Sequence, residues 1–154
     1  MKNKLFIFYL AAFVVMFNFC KKDDSNSGNE TKTSANFNTE SHNMGQNCMN
    51  CHTQGGSGEG WFNLAGTVYN ESFTNTEPNK TINLYTEPNG KGDLKYSIQV
   101  DGNGNFYSAQ SINFGSGLYP AVVGNTVTKY MSSSITSGKC NSCHGVSNDK
   151  IWTK

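Results

Sequence analysis

The chain has 154 residues, a formal net charge of +1, 36% hydrophobic residues, 16 glycines and five cysteines. That length suits one domain of ordinary size, and a near-neutral balance with scattered Lys and Arg excludes a basic nucleic-acid surface. So modest an apolar fraction builds only a small core, of the kind that draws stability from covalent or cofactor links.

In chain order, Lys2 and Lys4 precede an apolar run from Leu5 to Phe19. As a helix that run would span about 22 Å, short of the roughly 30 Å hydrocarbon core of a bilayer. It predicts a signal peptide over 1–19 rather than an uncleaved membrane anchor. Cys20 follows at once, then "KKDD". A cysteine at the end of a signal sequence resembles the lipidated first residue of a bacterial lipoprotein. The charged tetrad resembles the export tag of surface lipoproteins in some Gram-negative bacteria. The resemblance implies an outer-membrane lipoprotein facing the periplasm or the cell surface, held to the membrane through acylated Cys20 by more than one chain. Residues 20–41 are Ser-, Asn-, Thr- and charge-rich with one aromatic, Phe37, and predict a disordered tether.

Residues 42–60 carry "CMNCH" at 48–52 and a glycine-rich exit, "GGSGEG" at 55–60. From residue 61 to residue 131 the texture changes to short strands. "FNLAGTVY" (62–69) places Phe62, Leu64, Gly66 and Val68 on one face. "KTINLYT" (80–86) places Ile82 and Leu84 together, and "LKYSIQV" (94–100) aligns Tyr96, Ile98 and Val100. "NFYSA", "GLYPAVVG" and "TVTKYM" follow. Turn signals separate them: "EPNG", "DGNG", "GSG" and "GN". The alternation predicts a mainly β fold, a small antiparallel β-sandwich with loop segments at both chain ends of the domain. Pro120 lacks a donor, so its strand is expected at an edge or a bulge. Residues 132–154 carry "CNSCH" at 140–144.

The sandwich region resembles the prealbumin-like carboxypeptidase regulatory domain through "AGTVY", "INLYT", "DGNGNFY" and "GLYPAVV", over about 62–123. That likeness speaks to fold and not to activity.

Two of the three histidines directly follow a C-x-x-C. This spacing reads as c-type haem attachment, made twice. Each thiol adds across a haem vinyl group to form a thioether, and the next residue, histidine, lies beneath the iron. The motifs resemble those of multihaem c-type cytochromes. The resemblance implies two covalently attached haems, one on Cys48 and Cys51 with His52 as proximal iron ligand, the other on Cys140 and Cys143 with His144. Three other readings stay open for the cysteines: an all-thiolate zinc site, two structural disulfides or a redox dithiol. None of them uses His52 and His144.

A six-coordinate iron needs a distal ligand. His42 is the remaining histidine, within reach of either haem, and a solvated tether residue is its plain alternative. Met131, nine residues before Cys140, is the candidate for the other iron. Met44 and Met49 also lie near a haem but suit simple packing. A His/His and a His/Met iron would differ in potential, the methionine raising it. The "GGSGEG" run lacks the G-K-[ST] of a phosphate loop and is expected to turn the backbone tightly beside the porphyrin. Trp61 and Trp152 are candidates to cover haem faces or to fill the core.

These readings describe an exported dihaem cytochrome c, an electron carrier more than an enzyme. Its partners would be other redox proteins or copies of itself, as a link in an extracellular or outer-membrane electron conduit. One alternative is a surface β-sandwich lipoprotein for binding or adhesion, with structural disulfides or zinc. A dihaem peroxidase is a third reading. Whether the two motifs lie together or at opposite poles of the sandwich is left open by the sequence.

Overall fold

The computed structural model describes residues 32–154. The signal peptide, Cys20 and the tether up to residue 31 lie outside the described residues. Eight short strands build two four-stranded sheets. In chain order they are β1 (Leu64–Tyr69), β2 (Thr81–Tyr85), β3 (Leu94–Gln99), β4 (Asn105–Ser108), β5 (Tyr119–Val123), β6 (Thr128–Tyr130), β7 (Gly138–Lys139) and β8 (Ile151–Trp152). One sheet runs β4-β1-β7 with β8 also on β1; the other runs β3-β2-β5-β6. The chain is thus the mainly β sandwich its alternation predicts, with the first six strands in the predicted places. Among the described residues the helical elements are 3₁₀ turns alone.

The core forms where the two sheets face each other. Leu64 and Val68 of β1 meet Ile82 and Leu84 of β2, Ile98 and Val100 around β3, and Phe106 of β4. Each such side chain contributes about 1.5–3 kcal/mol by leaving water. β1 is buried on its other face too. There Ala65 joins Phe62 and Ala109 beneath Cys48 and Met49. Phe62, expected on the face of Leu64 and Val68, belongs to this second cluster, because it precedes the strand and is free of its alternation.

Three features depart from the sequence reading. β5 is interior, between β2 and β6, although it holds Pro120. A strand residue's N–H and C=O point to the same side, and the Pro120 carbonyl accepts from the Met131 N–H at 2.9 Å. The missing donor therefore faces the point where the β5–β6 register ends, at Ala121↔Tyr130. Second, residues 32–41 do not behave as a loose tether. Thr33 bridges Ser108, the Ala109 N–H donates to the Lys32 carbonyl, and buried Ser34 donates its hydroxyl to the Gln99 carbonyl at 2.6 Å. Polar composition hides this order, because hydrogen bonds to the outer edge of β4, not apolar burial, provide it.

Third, the segment 132–154 is woven into the sandwich. β7 runs parallel to Leu64 and Ala65, and β8 parallel to Val68 and Tyr69. Between these pairings the chain leaves β1 at Cys140 and returns at Ile151. The Thr67 N–H, left there without a strand partner, donates to Asn141 Oδ1 at 3.2 Å. A side-chain amide takes the place of the missing backbone acceptor, as a buried donor requires.

Candidate functional site

Both C-x-x-C-H segments fold into the same local turn. Each opens with a 3₁₀ turn, Cys48–Asn50 or Cys140–Ser142. In each, two N–H groups point back to the first cysteine's carbonyl. Cys51 and His52 reach Cys48 at 3.2 and 2.9 Å, and Cys143 and His144 reach Cys140 at 3.2 and 3.0 Å. The second cysteine has φ −105°, ψ −42° in one turn and φ −115°, ψ −50° in the other. Each histidine then donates Nδ1–H to a downstream carbonyl, His52 to Glu59 at 3.2 Å and His144 to Asp149 at 2.7 Å. A carbonyl can only accept, so this bond selects the tautomer and leaves each Nε2 with a free lone pair. Metal-binding imidazoles are commonly oriented by a bond of this kind.

The surroundings of the two turns differ. The first lies on the outer face of β1, where Cys48 and Met49 pack against the Phe62 cluster. His52 stacks on Phe62 at 4.4 Å between ring centres, and Phe62 stacks on Tyr107 at 4.8 Å. The glycine-rich exit wraps the imidazole: Gly58 donates to the Cys51 carbonyl at 2.9 Å, and a Cβ on Gly58 would stand 2.7 Å from His52 Nδ1. Its tight passage is therefore fitted to the His52 ring. The His42 ring lies 6.0 Å from that of His52, tilted by 40°.

The second turn borders a cavity of about 710 Å³ at the side of the sandwich, a size typical of cofactor sites. Cys140, Cys143 and His144 line it together with Met131 and Trp152, and Leu84 brings the core to it. Lys129 Nζ lies 3.8 Å from the centre of the Trp152 ring. Of the other sequence candidates, Met44 is exposed, Met49 packs in the Phe62 cluster and Trp61 is half-buried just before β1. Opposite Cys140, Gly66 has no room for a side chain: a Cβ would collide with the Phe106 ring and come within 3.0 Å of the Cys140 Cβ.

The four motif cysteines are free thiols. Burial pushes the Cys48 thiol up and the Cys140 thiol up to about 12. Cys140 is half-buried, and it lines the cavity. Neither thiol is poised as a thiolate for disulfide exchange. Among the described residues no three His, Cys, Asp or Glu side chains converge on one point, so the four sulfurs do not gather as a zinc site requires.

The two turns are neighbours. Asn141, buried beside Cys140, donates through Nδ2 to the Gln46 carbonyl at 2.9 Å and to Thr67 Oγ1 at 3.1 Å. The Cys48 Sγ lies 3.7 Å from that same Gln46 carbonyl. Thr67 Oγ1 also accepts from the Gly45 N–H and donates to Asn105 Oδ1. Residues of β1 and β4 thereby tie both motifs into one hydrogen-bonded unit. Sequence reading missed Asn141, Thr67 and Asn105, since an asparagine or threonine in a motif or strand carries no pattern that marks a partner far along the chain. No family model, curated protein or solved structure matches this chain.

Proposed function

We propose that this protein is a dihaem c-type cytochrome that carries electrons. The observation that carries the reading is the repeated turn. Twice, two cysteine thiols and an imidazole with a free Nε2 are held in one arrangement by the same backbone bonds and the same Nδ1–carbonyl bond. Cys48 and Cys51 would hold one haem with His52 on its iron, and Cys140 and Cys143 the other with His144. The fit is chemical as well as local. The second cavity offers an apolar inner wall, with Leu64, Leu84 and Phe106, a more polar rim of serines and lysines, and an aromatic, Trp152, to a flat carbon-rich ring, and places Met131 among its lining residues. Met131 is the residue we assign as distal ligand there.

The haem iron supplies reversible one-electron chemistry. The chain's residues do the rest. The thiols tether, the Glu59 and Asp149 carbonyls orient the imidazoles, and the sandwich keeps water from one side of the second group. Asn141 holds the two attachment turns side by side, which favours exchange within one subunit over a relay that needs a neighbour at each pole. Export and anchoring through Cys20 complete the reading, with other redox proteins or further copies as partners.

A pyridine haemochrome assay with intact-mass measurement on the exported product tests this. Two haems per chain are expected. A colourless protein of unmodified mass would favour a binding or adhesion module instead, and peroxide turnover at a five-coordinate iron would favour a peroxidase.

A further inference from the structure

We propose that His42 is the second axial ligand of the iron held by His52, so that the first site is closed by two imidazoles from one short stretch of chain. The proposal rests on the dihaem reading above and deepens it. Two imidazoles on opposite sides of one metal, each through a nitrogen at about 2 Å with its ring centre about 1.1 Å further on, have centres roughly 6 Å apart. The His42 and His52 rings are 6.0 Å apart. Direct stacking is much closer, as the 4.4 Å between His52 and Phe62 shows.

The backbone that carries His42 is built to stay there. Its carbonyl accepts from Asn105 Nδ2 at 3.2 Å, and the same amide donates to Ser41 Oγ at 3.0 Å. Asn105 is a fully buried residue of β4. Asn103 Nδ2 donates to the Ser41 carbonyl at 2.7 Å. After His42, Asn43 adopts φ 54°, the left-handed region that asparagine tolerates better than most residues. The Gln46 N–H donates to the Asn43 carbonyl at 3.0 Å and closes the turn. His42 is exposed, and among the described residues its ring makes no hydrogen bond, so none of them holds the imidazole away from His52. It is not among the residues lining the cavity of His144, which assigns it to the first site and not the second.

The test uses the full-length exported holoprotein with His42→Ala, a change at an exposed position that the sandwich core does not feel. Haem content by pyridine haemochrome is expected to stay at two per chain. Electronic absorption and electron paramagnetic resonance are expected to show half of the haem converted from low to high spin, and added imidazole to restore it. Unchanged low-spin signals from both irons, with two haems present, would overturn the assignment of His42 alone. An absence of haem from the parent protein would instead overturn the reading beneath it. A first iron already high-spin in the parent protein would also exclude His42 as its ligand.

Discussion

The two C-x-x-C-H turns are alike in their backbone and unlike in what surrounds them. The first is laid on the outside of a sheet, with Phe62 beneath His52 and His42 beside it. The second is an excursion between two strands, β7 and β8, and borders a cavity that reaches the core. A five-residue motif therefore dictates its own turn, while depth, neighbours and ligands come from the strands on which it is mounted.

The largest expected effect sharpens that difference. On the dihaem proposal, replacing Cys140 and Cys143 by Ser should remove one haem and leave the cavity unfilled, a loss comparable to deleting a large core aromatic, about 3 kcal/mol. In a domain of this size that lowers the thermal midpoint by roughly 10 °C. Replacing Cys48 and Cys51 by Ser should also remove one haem, read by intact mass, but lower the midpoint by much less. Equal losses would show that the second group does not occupy the cavity.

Asn141→Ala should come next. It leaves the buried Thr67 N–H without its acceptor and cuts the bond to the Gln46 carbonyl, and should cost about 2–3 kcal/mol in denaturant unfolding. Because the amide joins both turns, the spectra of both haems should change, whereas a substitution confined to one turn changes one. Two glycines then separate the sites. Gly66→Ala drives a methyl group into Phe106 and Cys140 and should cost about 1–3 kcal/mol by overpacking, with the second haem's spectrum altered. Gly58→Ala drives a methyl group into the His52 ring, should cost about 1–2 kcal/mol by the same overpacking, and should alter the first haem's spectrum. The smallest effect is expected at Ser34. Ser34→Ala removes the hydroxyl bond to the Gln99 carbonyl and the acceptor of the Tyr107 N–H, should cost about 1 kcal/mol, and should leave both haem spectra as they were.

Much of this architecture could be read from the residues, and the parts that could not share a cause. Six strands announce themselves by alternation, and the motifs by spacing. β7 and β8 have two residues each, too few to alternate, and their place is set by β1 rather than by their own side chains. Residues 32–41 are ordered by hydrogen bonds that composition does not reveal. The company of the motifs was equally hidden. That His42 meets His52 depends on a left-handed Asn43 and on Asn105, a strand residue whose amide reaches back 63 positions to the His42 carbonyl. Periodicity reports which face of an element is wet, and says nothing of which distant element covers it.

Strand β1 is synthesised before every strand it pairs with, and its pairing along one edge is complete only when Ile151 and Trp152 arrive. Long-range closure of this kind is slow compared with local turn formation. During that delay the sulfur of Cys140 stands clear of the strands that later half-bury it, so chemistry at this thiol has its easiest chance early, on a chain not yet zipped.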